Sequence, residues 1–393
     1  MIKIDIETYL KELEMLVNMD SGLGNPEGIT AVGRYFAQRL EAAGWQAEQV
    51  DVGVETGKCT VVKNREADHY DALLIGHVDT VFPTGETAKR PFRRDEKRAY
   101  GLGTLDMKQG CLAMAYILEQ LPEEVNEALN IVAIFNPDEE INSIYSKGLI
   151  QEYARKSSHA YVFEAASTDG SHCIQRKGQY RAAVEFHGQA GHAGYLLEED
   201  SRSAINELVY WTCKLNEHLS REKNTSVNVG VIRGGVQHNI VPDYAEMSFE
   251  SRFESMDEYE RLLETIEELK EHAEEVRIGA VVKDVLATPP MKPDGRTLAY
   301  EERIRALSEA NDIPYKSKPR GGLSDANHAS ACGAICIDGL GPTGDFDHSD
   351  KEYLEISTIE PNIRFAYLML CDLAEMKAGA VKPCVLLSTE GSN

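Results

Sequence analysis

Three short, fully apolar runs recur between helical stretches: Ala72–Gly76 (ALLIG), Leu129–Phe135 (LNIVAIF) and Ala160–Phe163 (AYVF). Apolar runs of this length, with no polar alternation, are strands buried on both faces, and each is bounded by polar turns. Helical periodicity precedes them in Ile6–Met19, where Leu10, Leu13, Leu16 and Val17 share a face, and in Ile29–Ala43. Lys108–Leu121 supplies a further helix between the first two runs. This order predicts an α/β domain in which helices cover a buried sheet.

The texture changes from about Gly178 to Thr288. Arg181–His187, Ser226–Arg233 and Ala245–Phe253 alternate like strands, Arg277–Val285 ends the series, and Ser201–Leu219 and Met256–Ala273 are amphipathic. The order β-α-β-β-α-β is that of a ferredoxin-like unit, and strict alternation suits a sheet covered on one face only. After Pro289-Pro290 the first texture returns in Leu298–Ala310, Ala331–Ile337 and Ile359–Met376. A chain of 393 residues suits two domains. The predicted organisation is a larger domain of residues 1–177 and 291–393 with a small domain, 178–290, inserted into it. Edges left open by the inserted sheet predict a homodimer formed through it. In the tail after Lys377, Val385–Leu387 is either one more strand or mobile chain.

Charge excludes whole classes of partner. With 41 Lys plus Arg against 65 Asp plus Glu, the formal charge is −24, and such a chain repels nucleic acid and anionic membrane. The eight cysteines are scattered without a C-x-x-C pair. Cys332 and Cys336, in an apolar run, read as buried free thiols. The N-terminal stretch is charged and amphipathic, unlike a signal peptide, and no apolar stretch is long enough to span a bilayer. The expectation is a cytoplasmic protein.

The residues that carry chemistry stand where strands stop. His77-Val78-Asp79 follows ALLIG directly, and ligands of open α/β sheets bind at the carboxyl ends of strands. A histidine there, with a carboxylate two residues on, fits a metal ligand whose far ring nitrogen is held by Asp79; a polar strand end capped by Asp79 is the alternative. In Tyr100–Gly110 (YGLGTLDMKQG) the spacing is not that of a phosphate loop, and Asp106 by itself also fits a helix N-cap. Asn136-Pro137-Asp138-Glu139-Glu140 sets three acids in a row after the LNIVAIF strand. Their mutual repulsion is relieved by a divalent cation, with one carboxylate ligating and its neighbour serving as general base. Phe163-Glu164 ends the AYVF strand, and His348 stands among acids in Asp345–Asp350. Together these residues predict one edge of one sheet where two imidazoles meet at least four carboxylates. That donor set suits two zinc ions, or cobalt or manganese, with a bridging carboxylate.

At this point the chain resembles the dinuclear-zinc exopeptidases that include glutamate carboxypeptidase of the folate-hydrolysing type, aminoacylase, succinyl-diaminopimelate desuccinylase and peptidase T. The resemblance spans about residues 5–375 and is strongest to the glutamate carboxypeptidase branch, through GHVDTVFPTG, AKRPFRRDEKRAYGLGTLDMKQG, FNPDEE, FEAAS, GQAGHAG, QHNIVPD and FDHSDKEY. It implies a three-layer α/β catalytic domain with an inserted ferredoxin-like lid and dimerisation domain. It implies that His77 and Glu164 bind one zinc, Glu140 and His348 the other, and that Asp106 bridges both, with a candidate cis bond between Asp106 and Met107. Glu139 is then the general base, Asp79 orients His77, and His192 stabilises the oxyanion from the same or the partner subunit. Asn239 and Arg252 match the residues that hold a substrate carboxylate. Gly322 and Ser324 match a glycine-rich specificity loop in which Asn327 replaces the Arg of desuccinylases, arguing against a succinylated substrate.

The expected reaction is metal-assisted hydrolysis of an amide bond in a small peptide or N-acyl amino acid, releasing a C-terminal amino acid. A tripeptidase or aminopeptidase-like activity on free amino termini is one alternative. A non-catalytic dimeric binding relative is another, opposed by the full set of expected ligands and base.

Overall fold

The structure is a computed structural model and describes residues 2–53, 55–196, 200–380 and 382–384. The Val385–Leu387 segment lies outside the described residues. The chain divides into two compact units: Met1–Gln175 with Pro293–Arg320 and Ser324–Asn393, and Arg176–Lys292 with Gly321–Leu323.

The first unit is built on a six-stranded sheet in the order Ile335–Ile337, Ser157–Val162, Tyr70–His77, Ile131–Asn136, Lys58–Lys63, Gln46–Asp51. The first four strands run parallel, and all three apolar runs are among them. Leu73, Leu74 and Ile75 are fully buried, and each such side chain stabilises the fold by roughly 1.5–3 kcal/mol. The last two strands join antiparallel. Neither shows as a strand in the hydrophobic pattern of the sequence. QAEQVD lies at the sheet edge, where polar and charged residues guard an open ladder.

Local signals start the flanking helices. The Asp5 side chain accepts the Glu7 N–H at the head of Ile6–Asn18, and Asn25 and Pro26 open Pro26–Ala42. Gln109–Glu119 is buried along almost its whole length, as is the Phe365–Ala374 part of Ile359–Lys377. Gly110 at the start of the first of these is obligatory: a Cβ there would lie 2.1 Å from the Phe163 carbonyl oxygen. That close approach seats the Asp106 segment against the strand end that carries Glu164.

A second, five-stranded sheet runs Ala165–Ala166, Gly341–Asp345, Tyr353–Glu355, Arg98–Tyr100, Arg93–Arg94. It changes two expectations. The glycine-containing stretch before His348, which shows no strand pattern in the sequence, forms the strand Gly341–Asp345, whose Gly341 leaves room for the Phe163 and Glu164 carbonyls. And the candidate ligands do not share one sheet edge. His77 ends a strand of the six-stranded sheet and Glu139, Glu140 and Glu164 follow strands of it, whereas Asp106 and His348 follow strands of this one.

The second unit has a four-stranded antiparallel sheet in the order Ser226–Gly234, Tyr244–Phe253, Gly178–His187, Gly279–Thr288. In chain order this is 2-3-1-4, the ferredoxin-like arrangement. Leu208, Trp211 and Leu215 of Ala204–Asn216, and Leu262, Ile266 and Leu269 of Met256–Glu275, pack with Val184, Phe186, Met247 and Phe249 of the sheet. Buried and half-buried residues alternate along Tyr244–Phe253, as the sequence pattern requires. All eight cysteines are free. Cys336 is buried as expected, but Cys332, where Asp325–Ala331 ends, is only half-buried.

Candidate metal centre

His77 is the last residue of its strand and 1% exposed. Its Nε2 lies 2.9 Å from Asp106 Oδ1 and 3.7 Å from Glu164 Oε1. Its Nδ1 faces Asp79, 3.1 Å from the carbonyl and 3.3 Å from Oδ1. Asp79 does more than orient this ring. Its Oδ1 accepts the Glu139 N–H at 3.3 Å and its Oδ2 the Glu140 N–H at 3.0 Å, joining the two strand-end loops.

Asp106 occupies the non-helical turn before Gln109–Glu119, with φ −114° and ψ 95°, and the Asp106–Met107 peptide is cis. Gly103, at φ +73°, allows the chain to enter this turn. Lys108 anchors it from behind. This buried ammonium donates to Leu16 O at 3.0 Å and Met19 O at 2.7 Å, satisfying carbonyls at the end of the first helix. Burial brings its pKa down to about 8.

While Asp106 Oδ1 faces His77, its Oδ2 lies 3.1 Å from His348 Nε2. His348 Nε2 is also 3.2 Å from Glu140 Oε2, and Glu140 Oε1 accepts the Val81 N–H at 3.2 Å. One carboxylate therefore spans two imidazoles. Glu139 lies beside this constellation, and among the described residues its carboxylate accepts no hydrogen bond.

The charges within the cluster perturb one another. Burial opposes protonation of His77, but hydrogen bonds to Asp106 and Asp79 and the charge of Glu164 outweigh it and raise the ring's pKa. His348 rises to about 11 through its bonds to Asp106 and Glu140. Asp106 is held well below the ordinary carboxylate range: burial works against this, and the two histidines overcome it. Burial, reinforced by Asp106, pushes Glu140 up to about 7, and burial also raises Glu139 well above its usual value.

The residues present fit a pair of divalent cations. Ligand atoms of His77, Asp106 and Glu164 lie within 4.8 Å of one another, as do those of Asp106, Asp347 and His348. Nitrogen and carboxylate donors in this mixture suit zinc, cobalt or manganese. Asp347 belongs to this geometry although it was not singled out among the acids around His348. Asp325 was missed too. Fully buried, it holds Asn136 Nδ2 at 2.6 Å and Ser143 Oγ at 2.5 Å, fixing both ends of the Glu139 loop. Burial lifts its pKa to about 6. No local pattern marks such residues, because their partners are remote in sequence.

The other expected residues fall elsewhere. His192 belongs to the second unit, in the two-residue strand Gly191–His192 paired with Ile240–Val241. It is exposed, and its Nδ1 accepts the Gly194 N–H. Asn239 adjoins that pairing, its carbonyl accepting the Ala193 N–H at 3.0 Å. Arg252 lies on Tyr244–Phe253 with its Nε 3.4 Å from Glu250. Gly322 offers its carbonyl to Arg176 at 3.0 Å. Ser324 is 3% exposed; its hydroxyl donates to Asp338 at 2.7 Å and accepts the Ala326 N–H at 3.2 Å, capping Asp325–Ala331. Asn327 is fully buried in the same capping box.

An α/β unit with two imidazoles and a bridging carboxylate at its strand ends, and an inserted ferredoxin-like unit, defines a metallohydrolase of the exopeptidase and amidohydrolase class. The chain belongs to peptidase family M20/M25/M40, whose profile it matches over residues 73–372. Carboxypeptidase G2 of Pseudomonas sp. (strain RS-16) is 30% identical over 378 residues, covering 94% of this chain and 90% of that protein. Acetylornithine deacetylase of Myxococcus xanthus is 32% identical over 302 residues, 70% of this chain and 75% of that one. Among solved structures, aminopeptidase PepT from Bacillus cereus ATCC 10987 has a TM-score of 0.77 at 21% identity, covering 94% of this chain and 99% of its own. At that identity the likeness is one of fold. The family is metal-dependent, and the chain is an enzyme of metallopeptidase and amidohydrolase type. No helix among the described residues is long and apolar enough to cross a membrane.

Proposed function

We propose that this protein hydrolyses the amide bond of a small peptide or N-acyl amino acid and releases a C-terminal amino acid, in the manner of a glutamate carboxypeptidase. The observation that carries this reading is Asp106, with one carboxylate oxygen on each histidine, and beside it Glu139, whose carboxylate accepts no hydrogen bond among the described residues. His77, Asp106 and Glu164 would hold one cation, and Asp106, Glu140 and His348 the other, with zinc the best match to the donors. Two such ions, when bound, acidify water and polarise a carbonyl.

Glu139 takes the proton of the attacking water on its carboxylate and delivers it to the leaving amine nitrogen. Asp79 keeps His77 in the tautomer that leaves Nε2 free for a cation. His192 donates to the developing oxyanion, and Asn239 and Arg252, with the Gly322 loop, hold the substrate α-carboxylate. The similarity to carboxypeptidase G2 supports the C-terminal specificity. In this reading residues 1–177 and 291–393 form the catalytic domain, and residues 178–290 form the lid through which a cytoplasmic homodimer assembles.

The test is a panel of N-acyl amino acids, γ-glutamyl peptides and free di- and tripeptides, assayed with zinc, cobalt and manganese. Acylated or C-terminally extended substrates should be cleaved fastest. Preference for free tripeptides would instead establish an aminopeptidase-like enzyme. Glu139→Gln should retain its metal and lose about 10²- to 10⁴-fold in turnover, the usual contribution of general acid–base catalysis; near-normal turnover would remove Glu139 from the mechanism.

A further inference from the structure

Glu352 is a buried acid that the proposed mechanism leaves without a task. Its side chain is 2% exposed and forms no ion pair among the described residues. Its partners are backbone N–H groups: Gly103 donates to Oε2 at 3.0 Å, and Leu105 and Asp106 donate to Oε1 at 2.6 and 3.1 Å. All three belong to the turn that carries Asp106. Because Asp106 and Met107 leave helical geometry there, this turn cannot satisfy those donors by a regular helical ladder. A carboxylate, with two oxygens and only acceptor capacity, meets all three at once. A neutral amide of the same size would turn an NH2 group toward at least one of them.

Glu352 also belongs to the chain that bears His348, four residues upstream, and its own N–H donates to Ser349 O at 3.4 Å. One side chain thus clamps together the two segments that supply Asp106 and His348. We infer that Glu352 is a positioning residue that sets the spacing between Asp106 and His348, and with it the affinity for one of the two cations. This rests on the two-cation reading above. The effect is uneven across the pair. Of the group Asp106, Glu140 and His348, two members lie on segments that Glu352 joins. Of the group His77, Asp106 and Glu164, only one does. The site containing His348 depends on the clamp most.

The experiment is metal titration of the full-length protein by competition with a chromophoric chelator, using zinc, and cobalt for its visible spectrum. Wild-type protein is compared with Glu352→Gln and Glu352→Asp. Both ions should bind wild-type protein. In Glu352→Gln one of the two ions should lose about 10- to 100-fold in affinity, the usual cost of removing a group that orients metal ligands. The other should change by no more than a few-fold, and the cobalt spectrum should change for one ion only. Glu352→Asp, which keeps the charge, should fall between, and thermal melting of the metal-free variants checks that they fold. If Glu352→Gln does not fold, the comparison rests on Glu352→Asp. Two wild-type affinities in the folded variant, or equal losses at both sites, would overturn the inference. Wild-type protein binding fewer than two ions would overturn the two-cation reading instead.

Discussion

Replacing Asp79 by asparagine cuts at the point where the candidate centre is most tightly joined. The residue is fully buried, and its two oxygens face the His77 ring, the Glu139 N–H and the Glu140 N–H. An amide keeps one oxygen and sets an NH2 group where the other stood, so at least one of these donors faces a donor. Losing a hydrogen bond to a charged group costs roughly 1.5–3 kcal/mol, and a stranded buried donor about 1–3 kcal/mol. Allowing for local relaxation, the metal-free first unit should lose ~3 kcal/mol. Urea unfolding read by Trp45, which lies in that unit, in a Trp211→Phe background measures this without a signal from the second unit. Separately, His77 keeps the Asp79 backbone carbonyl at 3.1 Å but loses the charged acceptor at 3.3 Å, and metal affinity should fall about 10- to 100-fold. The two effects have different readouts, and saturating metal should recover part of the turnover but not the stability of the metal-free chain. Asp79→Asn with a normal urea midpoint and normal metal affinity would refute the role assigned to this carboxylate.

Two further outcomes test the second unit and the core. Arg252→Ala should raise KM about 10- to 100-fold for substrates with a free α-carboxylate, the worth of a charge-assisted bond, with kcat changed little; equal KM for the free acid and its amide in wild-type protein would exclude the role. His172, stacked on Tyr315, packed against the tilted ring of Phe365 and bonded to the Gly339 carbonyl at 2.8 Å, is held by burial at a pKa of about 4. Its folded pKa is depressed, so unfolding takes up a proton: the stabilisation is complete above pH 6.5 and drains as pH falls toward 4, by up to about 1.4 kcal/mol per unit. Urea midpoints measured at pH 7 and pH 5 should therefore converge in His172→Phe relative to wild type, and parallel pH slopes would contradict this.

Much of the fold was legible because burial on both faces erases polar alternation. ALLIG, LNIVAIF and AYVF became three adjacent parallel strands, and the alternating runs after Gly178 became a sheet covered on one side. Gln46–Asp51 was not legible, since its edge position and polar residues masked its pattern, and Lys58–Lys63, inside the sheet, offers only the four-residue run CTVV between two lysines. Neither was the second sheet, whose strands are two to five residues long and include glycine and proline. For Ser324 the motif supplies the residue type, whereas its bond to Asp338, fourteen residues on, and its place at a helix cap are set by packing.

The sequence by itself determined that acids and histidines stand at the ends of buried strands, and so that charge must be gathered where the backbone leaves the core. It determined the ferredoxin-like insert in the same way, by periodicity. Only the tertiary structure decided that two sheets, not one, deliver the candidate ligands, and that Asp106 reaches both histidines from a non-helical turn. The same is true of Asp325 and Glu352, which hold the loops. Strand ends are written in local hydrophobic pattern, whereas a carboxylate meeting N–H groups nearly 250 residues away is set by how the chain packs.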